Sequence, residues 1–179
     1  MKRRGRLVRI VAWIALVAGL AALAAALYIH LPGGQQRLEA RFAVPAYAAT
    51  DFATLRKTSR PNQFLVLPPG VGVEEPDLVA PEFGVPAARL AVLWRTKVAI
   101  GSDVTERRWD AATLTGEYIE RSKLMRYPDL ITVQFRPLDA TRSTLAIYSR
   151  SVYGYSDRGV NQRRVRHWLD RLSEAARAG

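Results

Sequence analysis

The chain has 179 residues, 27 Lys and Arg against 16 Asp and Glu for a formal net charge of +11, and no cysteine. The last of these excludes disulfides, thiolate metal sites and thiol catalysis. With 49% apolar and 24% charged residues the chain is of a foldable kind and not a disordered one, with room for one domain of ordinary size.

The charge is unevenly placed. Lys2, Arg3, Arg4, Arg6 and Arg9 stand at the start, and six more arginines fall between Arg158 and Arg177. Ile10 to Ile29 carries no charge, and as a helix it spans roughly 30 Å, the thickness of a bilayer's hydrocarbon core. Trp13 and Tyr28 sit near its ends, where amphipathic aromatics are favoured. With five cations before the segment and only Arg37 and Arg41 close behind it, the positive-inside rule predicts a cytoplasmic N-terminus and an extracytoplasmic remainder. The competing reading is a cleavable signal peptide with Ala24-Ala25-Ala26 as its small-residue cleavage site. The apolar run continues through Leu27, Tyr28 and Ile29, longer than a usual signal core, which favours an anchor. Ala18, Ala22 and Ala26, and Ala15 with Gly19, have the small-xxx-small spacing that lets helices approach, although alanine is also common filler there.

Pro32-Gly33-Gly34 should stop this helix, with a juxtamembrane stalk following. A short helix is expected over Phe52–Lys57, then a turn at Arg60-Pro61-Asn62 and a strand at Phe64–Leu67. Residues 68–86 hold five prolines and three glycines and read as a long loop. Pro86 opens a helix over Ala87–Ile100, with Leu90, Leu93, Trp94 and Lys97/Val98 at helical spacing. After Gly101 the period becomes alternating. Strands are expected over Thr105–Ala111 and Glu117–Met125, then around Ile131, Val133 and Phe135, whose neighbours Thr132, Gln134 and Arg136 predict one wet face. The turn at Pro137–Arg142 leads into a partner strand through Leu145, Ile147 and Ser149. The final helix puts Val165, Trp168, Leu169, Leu172 and Ala176 on one stripe, with Arg163, Arg166, Asp170, Glu174 and Arg177 opposite.

These elements predict an α+β fold. An N-terminal transmembrane helix precedes one small domain in which an antiparallel sheet of about four to five strands is packed by two helices. The expected organisation is a basic cytoplasmic N-terminus over residues 1–9, an anchor over 10–30, a stalk over 31–54 and a single domain over 55–176.

The stretch Ser149 to Asn161, between the last strand and the last helix, looks specified. Ser156 and Asp157 are favoured N-cap residues, and Gly154 and Gly159 suit positive φ. Asn161 falls on the same helix face as Trp168 and Leu172, so its amide points inward and needs partners, for which the preceding loop is nearest. Arg164 flanks that stripe, within reach of Asp157 or of Ser149 and Ser151. The candidate binding residues are therefore Ser149, Arg150, Ser151, Ser156, Asp157, Asn161 and Arg164, converging on an anion or polar ligand at a helix N-terminus. The competing explanation is cap and turn chemistry, which accounts for most of these residue types without a ligand.

The runs Tyr127-Pro128-Asp129, Ser143 to Ser151 and Gly154-Tyr155-Ser156-Asp157-Arg158-Gly159-Val160-Asn161-Gln162-Arg163-Arg164-Val165, with the earlier Pro61 to Gly70, resemble the domain-of-unknown-function family fourteen-ninety-nine. Relatives often place cysteine beside the Pro-Pro-Gly turn, where this chain has Leu67 and Val71-Gly72. The resemblance implies a bacterial envelope protein with no established activity, and with the anchor the expected location is the inner membrane, the domain periplasmic.

Other chemistry is poorly supported. His30 and His167 lack a second histidine or carboxylate at ligand spacing, and no cofactor motif occurs. A triad of Ser156, His167 and a distant Asp has no nucleophile elbow behind it. Asp103, Glu106 and Asp110 read as solvated residues around a strand more simply than as catalytic carboxylates. The expectation is a non-catalytic, membrane-anchored module that binds an envelope protein or anionic lipid headgroups through its arginines, and not nucleic acid. The alternative is an extracytoplasmic enzyme with a polar site at the Ser-Asp-x-Gly-x-Asn-x-x-Arg turn.

Overall fold

The computed structural model describes residues 2–31, 33–46 and 50–178, with the side chains of 2–4, 29 and 30 left out. The helix-stopping Pro32, residues 47–49 of the expected stalk and the His30 side chain lie outside the described residues. The chain divides into two compact units, one running to Phe42 and including Leu124–Arg126, the other holding Ala43–Lys123 and the chain from Tyr127.

In the first unit α1 spans Lys2–His30. Its stretch Gly5–Tyr28 is long and apolar enough to cross a membrane, a test that a signal sequence also passes. Every side chain along that stretch is exposed, so its apolar surface finds no cover within the protein. Gly33 takes a left-handed conformation (φ 81°) between α1 and a second helix, α2 (Gly34–Arg41), which lies inside the segment read as a stalk. Arg37 lies over the Tyr28 ring, 5.8 Å from its centroid. Arg126 donates from Nε (2.9 Å) and Nη2 (2.8 Å) to Glu39 Oε1.

The second unit is an α+β domain with a six-stranded sheet in the order β2-β1-β6-β5-β4-β3. The strands are β1 (Gln63–Leu67), β2 (Leu78–Val79), β3 (Val104–Asp110), β4 (Thr115–Arg121), β5 (Pro128–Pro137) and β6 (Ser143–Ser151). β3 to β6 form an antiparallel meander and β1 joins β6 antiparallel. The strand beyond the expected count is β2, two residues from the proline-rich loop paired parallel to β1. Pro76 and Pro81 bracket it, and proline's missing N–H keeps such a strand short. At the far edge β3 breaks register between Glu106 and Arg108.

Two helices pack on one sheet face. α3 (Ala87–Leu93) follows Pro86 and continues as a π-helical segment, Trp94–Val98, closed by Ala99 N–H donating to the Trp94 carbonyl five residues back. The helix expected to Ile100 is thus two kinds of helix. α4 (Val160–Ala178) buries Asn161, Val165, Trp168, Leu169 and Leu172, the expected stripe. Trp94 is the hub, with Trp168 edge-on at 5.3 Å and Phe135 at 5.9 Å between ring centroids. Fully burying one such large apolar side chain contributes roughly 1.5–3 kcal/mol.

Two local expectations fail. Phe52–Lys57 is not helical, because Asp51 draws the Ala53 N–H (2.9 Å) and Thr54 hydroxyl (2.8 Å) into a turn. The face bearing Thr132 is not simply wet either. Phe52, Leu65, Leu67, Ala146 and Tyr148 form a second, smaller apolar cluster there, and Thr132 is buried and bonded to Thr50.

Candidate functional site

β6 alternates its side chains between the sheet faces, so Ser149 and Ser151 point toward α4 while Arg150 points away. After β6 the chain turns through Gly154 (φ 86°), Arg158 (φ 52°) and Gly159 (φ 76°) before α4 begins. Asp157 caps the helix, its Oδ1 accepting from Gly159 N–H (3.0 Å) and its Oδ2 from Asn161 N–H (2.7 Å). The first turn thereby aims Asn161 at the sheet, where it is fully buried.

Asn161 spends its whole hydrogen-bonding capacity inside the protein. Oδ1 accepts from Ser149 Oγ (2.6 Å) and Arg164 Nη1 (2.8 Å). Nδ2 shares its two hydrogens among three acceptors within reach, the Asn62 carbonyl (3.1 Å), Ser151 Oγ (3.1 Å) and Asp157 Oδ2 (2.7 Å). Asn62 extends the knot, its carbonyl also taking Ser151 N–H (2.9 Å) and its Nδ2 donating to the Gly154 carbonyl (2.8 Å). The β1 entry, the β6 exit and the start of α4 are tied at one point.

Arg164 is the cationic member, with 7% of its side chain exposed. Nε donates to Glu120 Oε2 (2.6 Å), Nη2 to Asp129 Oδ2 (2.6 Å) and Nη1 also to Ser149 Oγ (3.1 Å). Glu120 and Asp129 are direct cross-strand partners on β4 and β5. Two carboxylates placed so repel each other, and the guanidinium offsets that repulsion. Among the described residues the buried side-chain polar atom without a partner is Trp94 Nε1, outside this cluster.

Five of the seven predicted residues therefore come together: Ser149, Ser151, Asp157, Asn161 and Arg164. Arg150 does not. It lines a hollow of about 310 Å3 on the other face with Tyr148, Thr50 and Asp51. Ser156 is exposed on the loop, its Oγ accepting from Arg158 N–H at 3.3 Å. Arg164 bonds to no oxygen of Asp157, one of its expected partners, because Asp157 is taken up by the cap and by Asn161. Sequence reasoning missed Asn62, Glu120 and Asp129. The one available signal was the pair of acids opposite each other in the β4–β5 hairpin, which requires a cation nearby.

The other candidates are occupied structurally. Glu106 accepts from Arg95 Nε (2.8 Å) and Nη2 (2.9 Å) and from the buried Tyr118 hydroxyl (3.3 Å). Burial, with Glu106 beside it, pushes the Tyr118 phenol well above its usual value. Asp110 accepts from the Ala112 and Thr113 N–H groups, which lower its pKa. Ser156 and His167 are both exposed, and no hydrogen bond joins them. No group of three or more potential metal ligands occurs among the described residues.

Comparison with known proteins adds a family and little else. No curated protein matches the chain. The solved structures that it resembles include the di-domain ARO/CYC StfQ from the steffimycin biosynthetic pathway, at 14% identity and a TM-score of 0.44, over 54% of this chain and 43% of that one. A family model described as "Protein of unknown function (DUF1499)" matches residues 79–172, a span that includes α3, β3 to β6 and most of α4. The match covers more than half of the chain, which belongs to that family.

Proposed function

We propose that the protein is a membrane-anchored, non-catalytic binding module whose folded domain lies on the extracytoplasmic side of the bacterial inner membrane. One observation supports the non-catalytic part: Asn161 and Arg164, the centre of the candidate site, are consumed by internal partners, leaving neither side chain free for a substrate. The cationic flank before α1 supports the orientation. The arginines left at the surface, Arg158, Arg163 and Arg166, support binding to an envelope protein or to anionic headgroups. Each close charge gains about 1 kcal/mol at an anionic membrane.

The experiment is paired. Melting temperature and cellular phenotype are measured for Asn161→Ala and Arg164→Ala. A scaffolding cluster predicts a lowered melting temperature, with any phenotype following protein abundance. A phenotype at unchanged stability would overturn the reading and point to a chemical site. Orientation is tested by protease shaving of intact spheroplasts bearing a C-terminal tag. Loss of the tag is expected, and its survival would place the domain in the cytoplasm.

A further inference from the structure

We propose that the groove between α3 and the C-terminal half of α4 is a docking site for the headgroup of an anionic phospholipid, an inference that rests on the reading of the protein as a membrane-anchored binding module. The groove encloses about 540 Å3 and is lined by Arg89, Leu93 and Lys97 on one side and Arg171, Glu174 and Ala175 on the other. Leu93 is a buried, apolar floor, and Arg89 and Lys97 are exposed cations. Among the described residues no hydrogen bond or ion pair occupies the Arg89 guanidinium or the Lys97 ammonium. This sets them apart from Arg95, which is held by Glu106, and from Arg164, held by Glu120 and Asp129.

Arg171 is oriented for the task. It donates from Nη1 (3.5 Å) and Nη2 to the carbonyls of Val98 and Lys97, at the end of the π-helical segment. Those bonds fix the guanidinium across the groove. Glu174 on the rim is the one anion among the lining residues, so the site remains cationic on balance. Val92, one helical step from Arg89, and Ile100 are each half exposed and supply apolar shoulders beside the charges.

Size and tethering choose the occupant. A stable protein partner covers roughly 800 Å2 on each side, far more than this groove offers, whereas one headgroup with the start of its acyl chains fits. The chain carries a helix able to cross a bilayer, so lipid is presented at a high effective concentration and a weak site is enough. Three cations beside apolar shoulders match a phosphate at the edge of hydrocarbon.

The test uses the full chain in nanodiscs of pure phosphatidylcholine or of an equimolar mixture with phosphatidylglycerol. The chain has no cysteine, so Ala178→Cys in the groove and Gln162→Cys near the start of α4 can each carry one environment-sensitive fluorophore. The Ala178→Cys label should shift to the blue only when phosphatidylglycerol is present. Arg89→Gln with Lys97→Gln should weaken that response about thirtyfold, two charges' worth, at an unchanged melting temperature. A phosphatidylglycerol-dependent shift confined to the Gln162→Cys label would overturn the groove while leaving headgroup binding by the module intact. No lipid dependence at either label would overturn the groove and the headgroup version of the module together. A response at Ala178→Cys that survives the double substitution would also overturn the proposal.

Discussion

The two ends of α4 treat their arginines in opposite ways. At the N-terminal end the Arg164 side chain is nearly covered and is held by Glu120, Asp129, Ser149 and Asn161. At the C-terminal half Arg171 spans an open groove whose neighbours Arg89 and Lys97 have charges to spare. The end whose sequence looks most specified is the closed one. The end that reads as ordinary surface charge is the one that keeps exposed cations around an open groove. Density of Ser, Asp, Asn and Arg marks a demand for hydrogen bonds, and a fold can meet that demand entirely from within.

The contrast is sharpest where it is easiest to break. Arg164→Ala leaves two facing carboxylates without their cation, and chemical denaturation of the full chain in detergent should record a loss of about 3–5 kcal/mol. Combining Arg164→Met with Glu120→Gln and Asp129→Asn removes all three charges and should cost less than the single change. A triple variant no better than Arg164→Ala would break the account of this end as a balanced charge cluster. Asn161→Ala comes next, at about 1–3 kcal/mol, because it orphans buried partners on β1, β6 and the cap. Asp157→Ala should cost about 1 kcal/mol, the usual value of a lost N-cap, read as a small shift in the denaturation midpoint. The smallest effect is expected at the open end, where Arg89→Ala with Lys97→Ala should leave stability within about 0.5 kcal/mol of the parent. A large loss there would make the groove a structural feature instead of a free surface.

What was legible in the sequence follows from the range of the interactions involved. The α4 stripe and the inward direction of Asn161 depend only on a helical repeat, and both appear as expected. The β3-to-β6 meander was legible because short turns force neighbouring strands to pair. The partners of Arg164 were not, since Glu120 lies 44 residues away and reaches it through sheet register, not local pattern. The π-helical segment at Trp94–Val98 keeps an apolar spacing close to that of an α-helix and hides one extra residue per turn. Phe52–Lys57 misled because Asp51, just before it, competes for the same backbone groups that a helix would use.

The register break in β3 has a consequence for self-association. That outer strand presents Thr105, Glu106, Arg107 and Arg108 in an interrupted, charged row, and the opposite border is only the two residues of β2. Neither border offers the long, flat, apolar template on which another copy could lay down a strand, so the sheet is poorly suited to polymerising by edge extension even at high local concentration.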